Sequence, residues 1–168
     1  TKDGIEISVN VRNAEGRVVG NAVRTLAPPK AGEKPQMYHT SLFLGKQAQG
    51  GGFSSRWLRQ SEDNYRGAGI GSIGLTTNDV GSYAWAKAGF DFADKDQVKQ
   101  ISDRFQRAID KGGVPKKIAD SGKKLIKRAQ SPNRADWPTP MEFAMLGWEP
   151  GAKSWFGKDQ ILGTAWKG

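Results

Sequence analysis

The chain has no cysteine in its 168 residues. Disulfide cross-links and thiol chemistry are therefore excluded, although this absence leaves the compartment open. It has one histidine, His39, and no run of His and Cys with ligand spacing, so a metal centre is not expected. No apolar stretch approaches the roughly 18 residues of a membrane span, and no membrane partner is expected. No secretory leader is visible, and the first residue is Thr1 rather than Met. The expectation is a module of a longer or delivered protein with a cytoplasmic site of action. Internal repeats are absent. The P-loop signature is missing as well, since no Gly-Lys-Ser/Thr follows a glycine turn. A dinucleotide fold is not supported either, because Gly69-x-Gly71-x-x-Gly74 runs into an expected strand and opens no helix.

What remains is a chain of single-domain size, 36% apolar and 26% charged, with a net charge of +9. The charge is concentrated. Residues 95–134 hold twelve Lys and Arg against four Asp and no Glu, a surplus of eight. Such a field attracts polyanions such as RNA, and equally serves as a solubilising face. Lys116, Lys117, Lys123, Lys124, Lys127 and Arg128 are the candidate nucleic-acid contacts.

The stretch from Gln47 to Phe90 organises the remainder. Gly50, Gly51 and Gly52 carry no side chain to block a ligand and tolerate positive φ, so successive N–H groups can converge on one point. Ahead of a helix they add to its unpaired N–H groups and positive dipole end, which suits a phosphate or diphosphate. The order Gln47-x-x-Gly50-x-Gly52 resembles the pyrophosphate loop of the GNAT N-acetyltransferases. That family often carries an Asn, a Tyr seven residues on and Gly-Phe four residues beyond the Tyr. Here Asn78 is followed at the same offsets by Trp85 and by Gly89-Phe90. The resemblance covers roughly residues 5–92.

The resemblance implies an α/β fold: a GNAT-like central mixed β-sheet with flanking helices, plus a basic helical insertion before the C-terminal strand. A single domain is expected, with a cofactor-binding core (1–92), the insertion (93–147) and a Trp-rich C-terminal segment (148–168). Residue patterns give the elements. Alternation predicts a half-buried strand at Ile5–Val11, a returning strand at Arg17–Leu26 and a third at Met37–Leu44. Helical spacing of Phe53, Trp57, Leu58, Ser61 and Tyr65 predicts a helix over 53–66, with Ser54 or Ser55 as its cap. A buried strand is expected at Ile70–Thr77, then a helix at Val80–Ala88 capped by Asn78 or Asp79. Phe90 and Phe92 suggest another short strand. Amphipathic helices follow at 96–111, with Val98, Ile101, Phe105 and Ile109 inward, and at 116–130. A short helix at Met141–Leu146 and a last strand at Ile161–Trp166 complete the expectation.

The resemblance further implies acetyl-CoA as acyl donor. Its pantetheine arm would lie against backbone near Leu42, Phe43 and Leu44. Its diphosphate would sit on the N–H groups of Gln49, Gly50, Gly51, Gly52 and Phe53, with Gln47, Lys46, Asn78 and Trp85 nearby. Acyl transfer needs a neutral amine, a polarised carbonyl and a proton for the departing thiolate. The family's proton-donating Tyr is Trp85 here, and an indole is no acid at neutral pH. Tyr83, Ser82 and water are the alternatives. Two residues turn a helix by about 200°, which sets Tyr83 roughly opposite Trp85, with Ser82 nearer its side. His39 is the candidate acceptor for the amine proton, or else a structural residue.

The leading expectation is an acetyl-CoA-dependent N-acetyltransferase acting on an amine. The basic helices favour an RNA-linked or other anionic acceptor, such as the aminoacyl-tRNA acetylated by toxin members of the family. A toxin-type or phage-associated module fits the same reading. The alternative is an inactive GNAT-shaped module that grips nucleic acid or protein. An ADP-ribosyltransferase, hinted at by Tyr65-Arg66-Gly67, is disfavoured because no Glu-x-Glu or Gln-x-Glu pair follows that motif to serve as its catalytic end.

Overall fold

Alternating apolar and polar residues make Ile5–Arg12 (β1), Val18–Ala27 (β2) and Gln36–Leu44 (β3) an antiparallel meander. The β1–β2 turn is closed by Asn13, whose side-chain oxygen accepts from the Arg17 amide at 2.9 Å. A computed structural model describes residues 4–77 and 79–168. Ser72–Thr77 (β4) runs parallel to β3, and Trp166–Lys167 (β5) runs antiparallel to the end of β4. The result is a mixed five-stranded sheet in the order β1-β2-β3-β4-β5 with flanking helices, the expected α/β class. The chain divides into two compact units, Thr1–Leu75 and Thr76–Gly168, with the border inside β4. The expected segment border at residue 92 falls within the second unit.

In the first unit, Phe53–Gly67 (α1) buries Leu58 and Ser61 and brings Trp57 and Tyr65 over the sheet face that carries Ala22, Arg24, Met37 and His39. Burial of that face ends at β2. Ile5, Ile7 and Val9 of the edge strand are 64%, 42% and 41% exposed, so β1 is not the half-buried strand its pattern predicts. The helix starts from Gly52 with no side-chain cap, so neither Ser54 nor Ser55 serves as the N-cap.

In the second unit, Asp79–Lys87 (α2), Lys95–Asp110 (α3), Lys116–Ala129 (α4), Pro140–Ala144 (α5) and Phe156–Leu162 (α6) gather round an aromatic core. Asp94 caps α3 by accepting from the Gln97 amide at 3.0 Å. Val98, Ile101, Phe105 and Ile109 all face inward as their spacing predicts. Phe105 meets Phe143 at 4.9 Å and Phe92 meets Trp166 at 5.6 Å between ring centroids.

Two expected strands are corrected. Phe90 and Phe92 form no strand: Gly89 turns the chain at φ 90°, the Phe90 amide donates back to Trp85, and Phe92 is buried in the aromatic core. The expected strand Ile161–Trp166 begins inside α6, and only Trp166 and Lys167 pair with β4. Helix wins there because Gly157 and Ile161, one turn apart, are both buried. A Cβ on Gly157 would lie 2.3 Å from the Phe143 carbonyl oxygen, so that close approach requires glycine. The proposed cap Asn78 lies outside the described residues.

Candidate functional site

The first unit contains the loop on which the sequence argument turned. Lys46–Ala48 makes one 3-10 turn after β3. Gly50 and Gly52 then adopt the left-handed region, at φ 81° and 72°, which other residues take up only with strain. Among the described residues, the amides of Gly50, Gly51 and Gly52 donate to nothing, and the first helical hydrogen bond to Gly52 comes from Arg56. These donors stand at the positive end of a 15-residue helix. A Cβ at Gly50 or Gly51 would meet no atom within 4 Å, so the loop is open on that side. A Cβ at Gly52 would lie 3.2 Å from Nη1 of Arg56, so that guanidinium lies over the turn. Arg56 lies off the apolar face of the helix and was not among the residues singled out by the sequence. Its place three residues after the helix start, beside a run of glycines, was the available signal.

The loop is tied back to its strand. The Gln49 side-chain amide donates to the Leu44 carbonyl at 2.8 Å, and the Gly45 amide donates to Val19 at 2.8 Å. The Gln47 carboxamide folds over the Gly45 backbone. Lys46 is exposed. Upstream, β3 carries a bulge. Val23 pairs with Ser41 but Arg24 pairs with His39, so Thr40 is an extra residue. The parallel ladder between β3 and β4 runs from Gln36–Ser72 to His39–Leu75 and stops one residue before that bulge. Beyond it Leu42, Phe43 and Leu44 pair with β2 alone, and Phe43 is 65% exposed. Within the first unit, β3 thus pairs with β4 only as far as His39, and its end nearest the glycine loop is bonded on the β2 side.

His39 is on the buried face, with its ring 5.8 Å from that of Tyr65 and 3% exposed. Burial, and then the neighbouring Arg24 charge, push its pKa down to about 3. Burial thus favours the neutral imidazole, which fits the structural alternative for His39. Arg24 is itself buried. Its Nη1 donates to the Val23 and Ser41 carbonyls at 3.0 Å each, and its guanidinium stacks 4.5 Å from the Trp57 ring. Arg24, on β2, was not singled out by the sequence because nothing local marks a strand arginine as interior.

The remaining candidates belong to the second unit. Ser82 is fully buried. Its hydroxyl donates to the Thr164 carbonyl at 2.6 Å and accepts from Thr77 at 3.3 Å. Its proton is committed within the packing, which disfavours Ser82 among the alternative acids. Tyr83 makes an edge contact with Trp155 at 5.7 Å, and the Lys158 ammonium lies 5.6 Å from the Tyr83 ring centroid. Trp85 is half-buried against Phe90 at 5.2 Å.

The six basic candidates on α4 divide into two stripes, since residues seven apart return to one face. Lys117, Lys124 and Arg128 share one flank, and Lys116, Lys123 and Lys127 the other. Arg128 is occupied by Glu142 and by the Asp136 carbonyl, and Lys116 by Asp120.

No protein-family model matches this sequence, and no curated protein matches it. Parts of solved structures are similar to part of it. One is an acetyltransferase from Bacillus cereus, at 20% identity and a TM-score of 0.42, covering 52% of this chain and 58% of that one. A Trypanosoma brucei acetyltransferase is 17% identical with a TM-score of 0.46, covering 53% and 64%. An aminoglycoside acetyltransferase from an uncultured soil sample, solved with sisomicin, is 21% identical with a TM-score of 0.39, covering 46% and 51%. In each case the chain spans less than two thirds of the similar protein.

Proposed function

We propose that this chain is an acetyl-CoA-dependent N-acetyltransferase. The observation that carries the reading is the row of undonated amides at Gly50–Gly52, set at a helix start beside Arg56 and next to a strand end that β4 leaves unpaired. In this reading the diphosphate takes the amides from Gln49 to Phe53, and the Arg56 charge adds to them. The pantetheine arm follows Leu42, Phe43 and Leu44. The Leu44 carbonyl is already held by Gln49, so the backbone groups offered to the arm lie earlier on the strand.

The amine nitrogen attacks the thioester carbonyl, and the C–N bond forms as the C–S bond breaks. The nitrogen gives up a proton and the thiolate takes one. With His39 buried and the Ser82 hydroxyl committed, water takes the amine proton, and Tyr83 or water supplies the thiolate's. Alignment then supplies the rate enhancement. The acceptor in this proposal is an amine on an anionic carrier such as aminoacyl-tRNA, drawn by the positive field of residues 95–134.

The sealing of Ser82 and His39 also favours a second reading, in which the loop binds CoA without turnover. One pair of assays separates the two. Calorimetry with acetyl-CoA, CoA and NAD reports binding, and mass spectrometry of an aminoacyl-tRNA and of a lysine peptide reports transfer. The proposal expects saturable binding of acetyl-CoA and CoA together with an acetylated acceptor. Binding without transfer selects the second reading, and binding of NAD alone rejects both.

A further inference from the structure

The second unit carries a groove of about 680 Å³ that the proposed chemistry does not use. One wall is a stripe of α4 from Lys117 to Arg128, which spans about 16 Å at 1.5 Å per residue. The other wall is the turn after α5, ending at Trp148. The floor is aliphatic, made by Ile118, Leu125, Met145 and Leu146. Trp148 stands 46% exposed and lines the groove with those aliphatic side chains, so the apolar surface is contiguous.

Its charge is uneven. Lys117 and Lys124 line the α4 bank, and neither has an ion-pair partner among the described residues. Lys117 also stands in the first turn of α4, where no acidic residue offsets the helix dipole. Glu142 is neutralised by Arg128, which leaves Glu149 as the one unpaired carboxylate among the lining residues.

We propose that this groove is a docking site for an acidic amphipathic helix of a partner protein. Three features select that occupant. The floor is aliphatic and is flanked by about three turns of α4, which suits Leu or Phe anchors spaced at helical intervals. The two lysines stand on one bank about two helical turns apart, matching carboxylates on the polar face of such a helix. The groove offers one exposed aromatic ring and an aliphatic floor, whereas single-stranded nucleic acid is held by successive aromatic platforms. The other basic stripe, Lys116, Lys123 and Lys127, faces away from this floor and takes no part.

The test is a fluorescence-polarisation titration of the full chain with a labelled 16-residue helical peptide of Leu and Glu in amphipathic order. A scrambled peptide of equal composition and a single-stranded RNA oligomer serve as controls. The variants are Trp148→Ala, the pair Lys117→Glu with Lys124→Glu, and the pair Lys123→Glu with Lys127→Glu. All alter exposed side chains, and circular dichroism verifies their folding. The expected result is saturable binding of the ordered peptide, weakened at least about tenfold by Trp148→Ala and by the first pair and less than about twofold by the second. Equal binding of the scrambled peptide, equal effects of the two lysine pairs, or an RNA signal that depends on Trp148 without peptide binding would each overturn the proposal.

Discussion

Gly51 separates the loop's proposed role from its folding role. Its φ lies outside the left-handed region, and a side chain there meets nothing within 4 Å. Gly51→Asp should therefore leave the melting temperature unchanged while setting a carboxylate among the anion-facing amides. The expected result is acetyl-CoA binding weakened by about tenfold or more, roughly 1.4 kcal/mol, in calorimetry. An unchanged affinity would separate the loop from the diphosphate.

His39 makes a prediction in pH. Its folded pKa of about 3 lies below the ordinary 6.5, so the unfolded chain binds the extra proton between those values. Its contribution to stability is complete above pH 6.5 and is lost as pH falls toward 3. The slope reaches at most about 1.4 kcal/mol per pH unit for one proton. Urea unfolding of the wild type and of His39→Gln at pH 7, 6 and 5 measures the difference. The wild type should lose more stability on acidification than the variant. Parallel losses would mean that His39 is not held neutral by its surroundings.

At the scale of elements, the aromatic contacts of α3 fix the second unit. Phe105 has no exposed surface and touches Phe143 and Phe156. Phe105→Ala should cost about 3–5 kcal/mol in chemical denaturation. A smaller effect is expected from Thr139→Ala. It removes the capping box in which Thr139 accepts from the Glu142 amide while the Glu142 carboxylate accepts from Thr139, at a cost of about 1 kcal/mol.

Elements with a clear period were legible in the sequence. The meander, α1, α3 and α4 lie within two residues of their expected bounds, because each has a continuous apolar stripe. Failures came where tertiary contacts outweighed local pattern. The apolar alternation of β1 faces an edge that α1 does not cover. Phe92 is apolar because it fills the aromatic core against Phe143 and Trp166, without itself joining a strand. At the site, the glycine loop was legible because it is contiguous. Arg24 and the bulge at Thr40 were not, since each depends on pairing across strands. Nor could the sequence tell the buried Ser82 from an accessible one.

On the scale of the whole molecule, a net charge of +9 with its surplus on residues 95–134 makes long-range attraction to polyanions the expected behaviour. Binding of a single-stranded RNA oligomer should weaken linearly on a log–log plot against salt. Lys123→Gln with Lys127→Gln should make that slope shallower by roughly 1.4, since each single-strand phosphate contact contributes about 0.7. A slope unchanged by the pair would exclude that stripe from the contact. No helix among the described residues is long and apolar enough to cross a membrane.

The central claim is that the amides of Gly50, Gly51 and Gly52 are the donors to a nucleotide diphosphate. It is tested most directly by following those three backbone resonances in a nitrogen-15-labelled chain during titration with acetyl-CoA. The account predicts that all three move downfield together and saturate at one dissociation constant. Glycine resonances that stay fixed while acetyl-CoA shifts signals elsewhere, or shifts none, would contradict it.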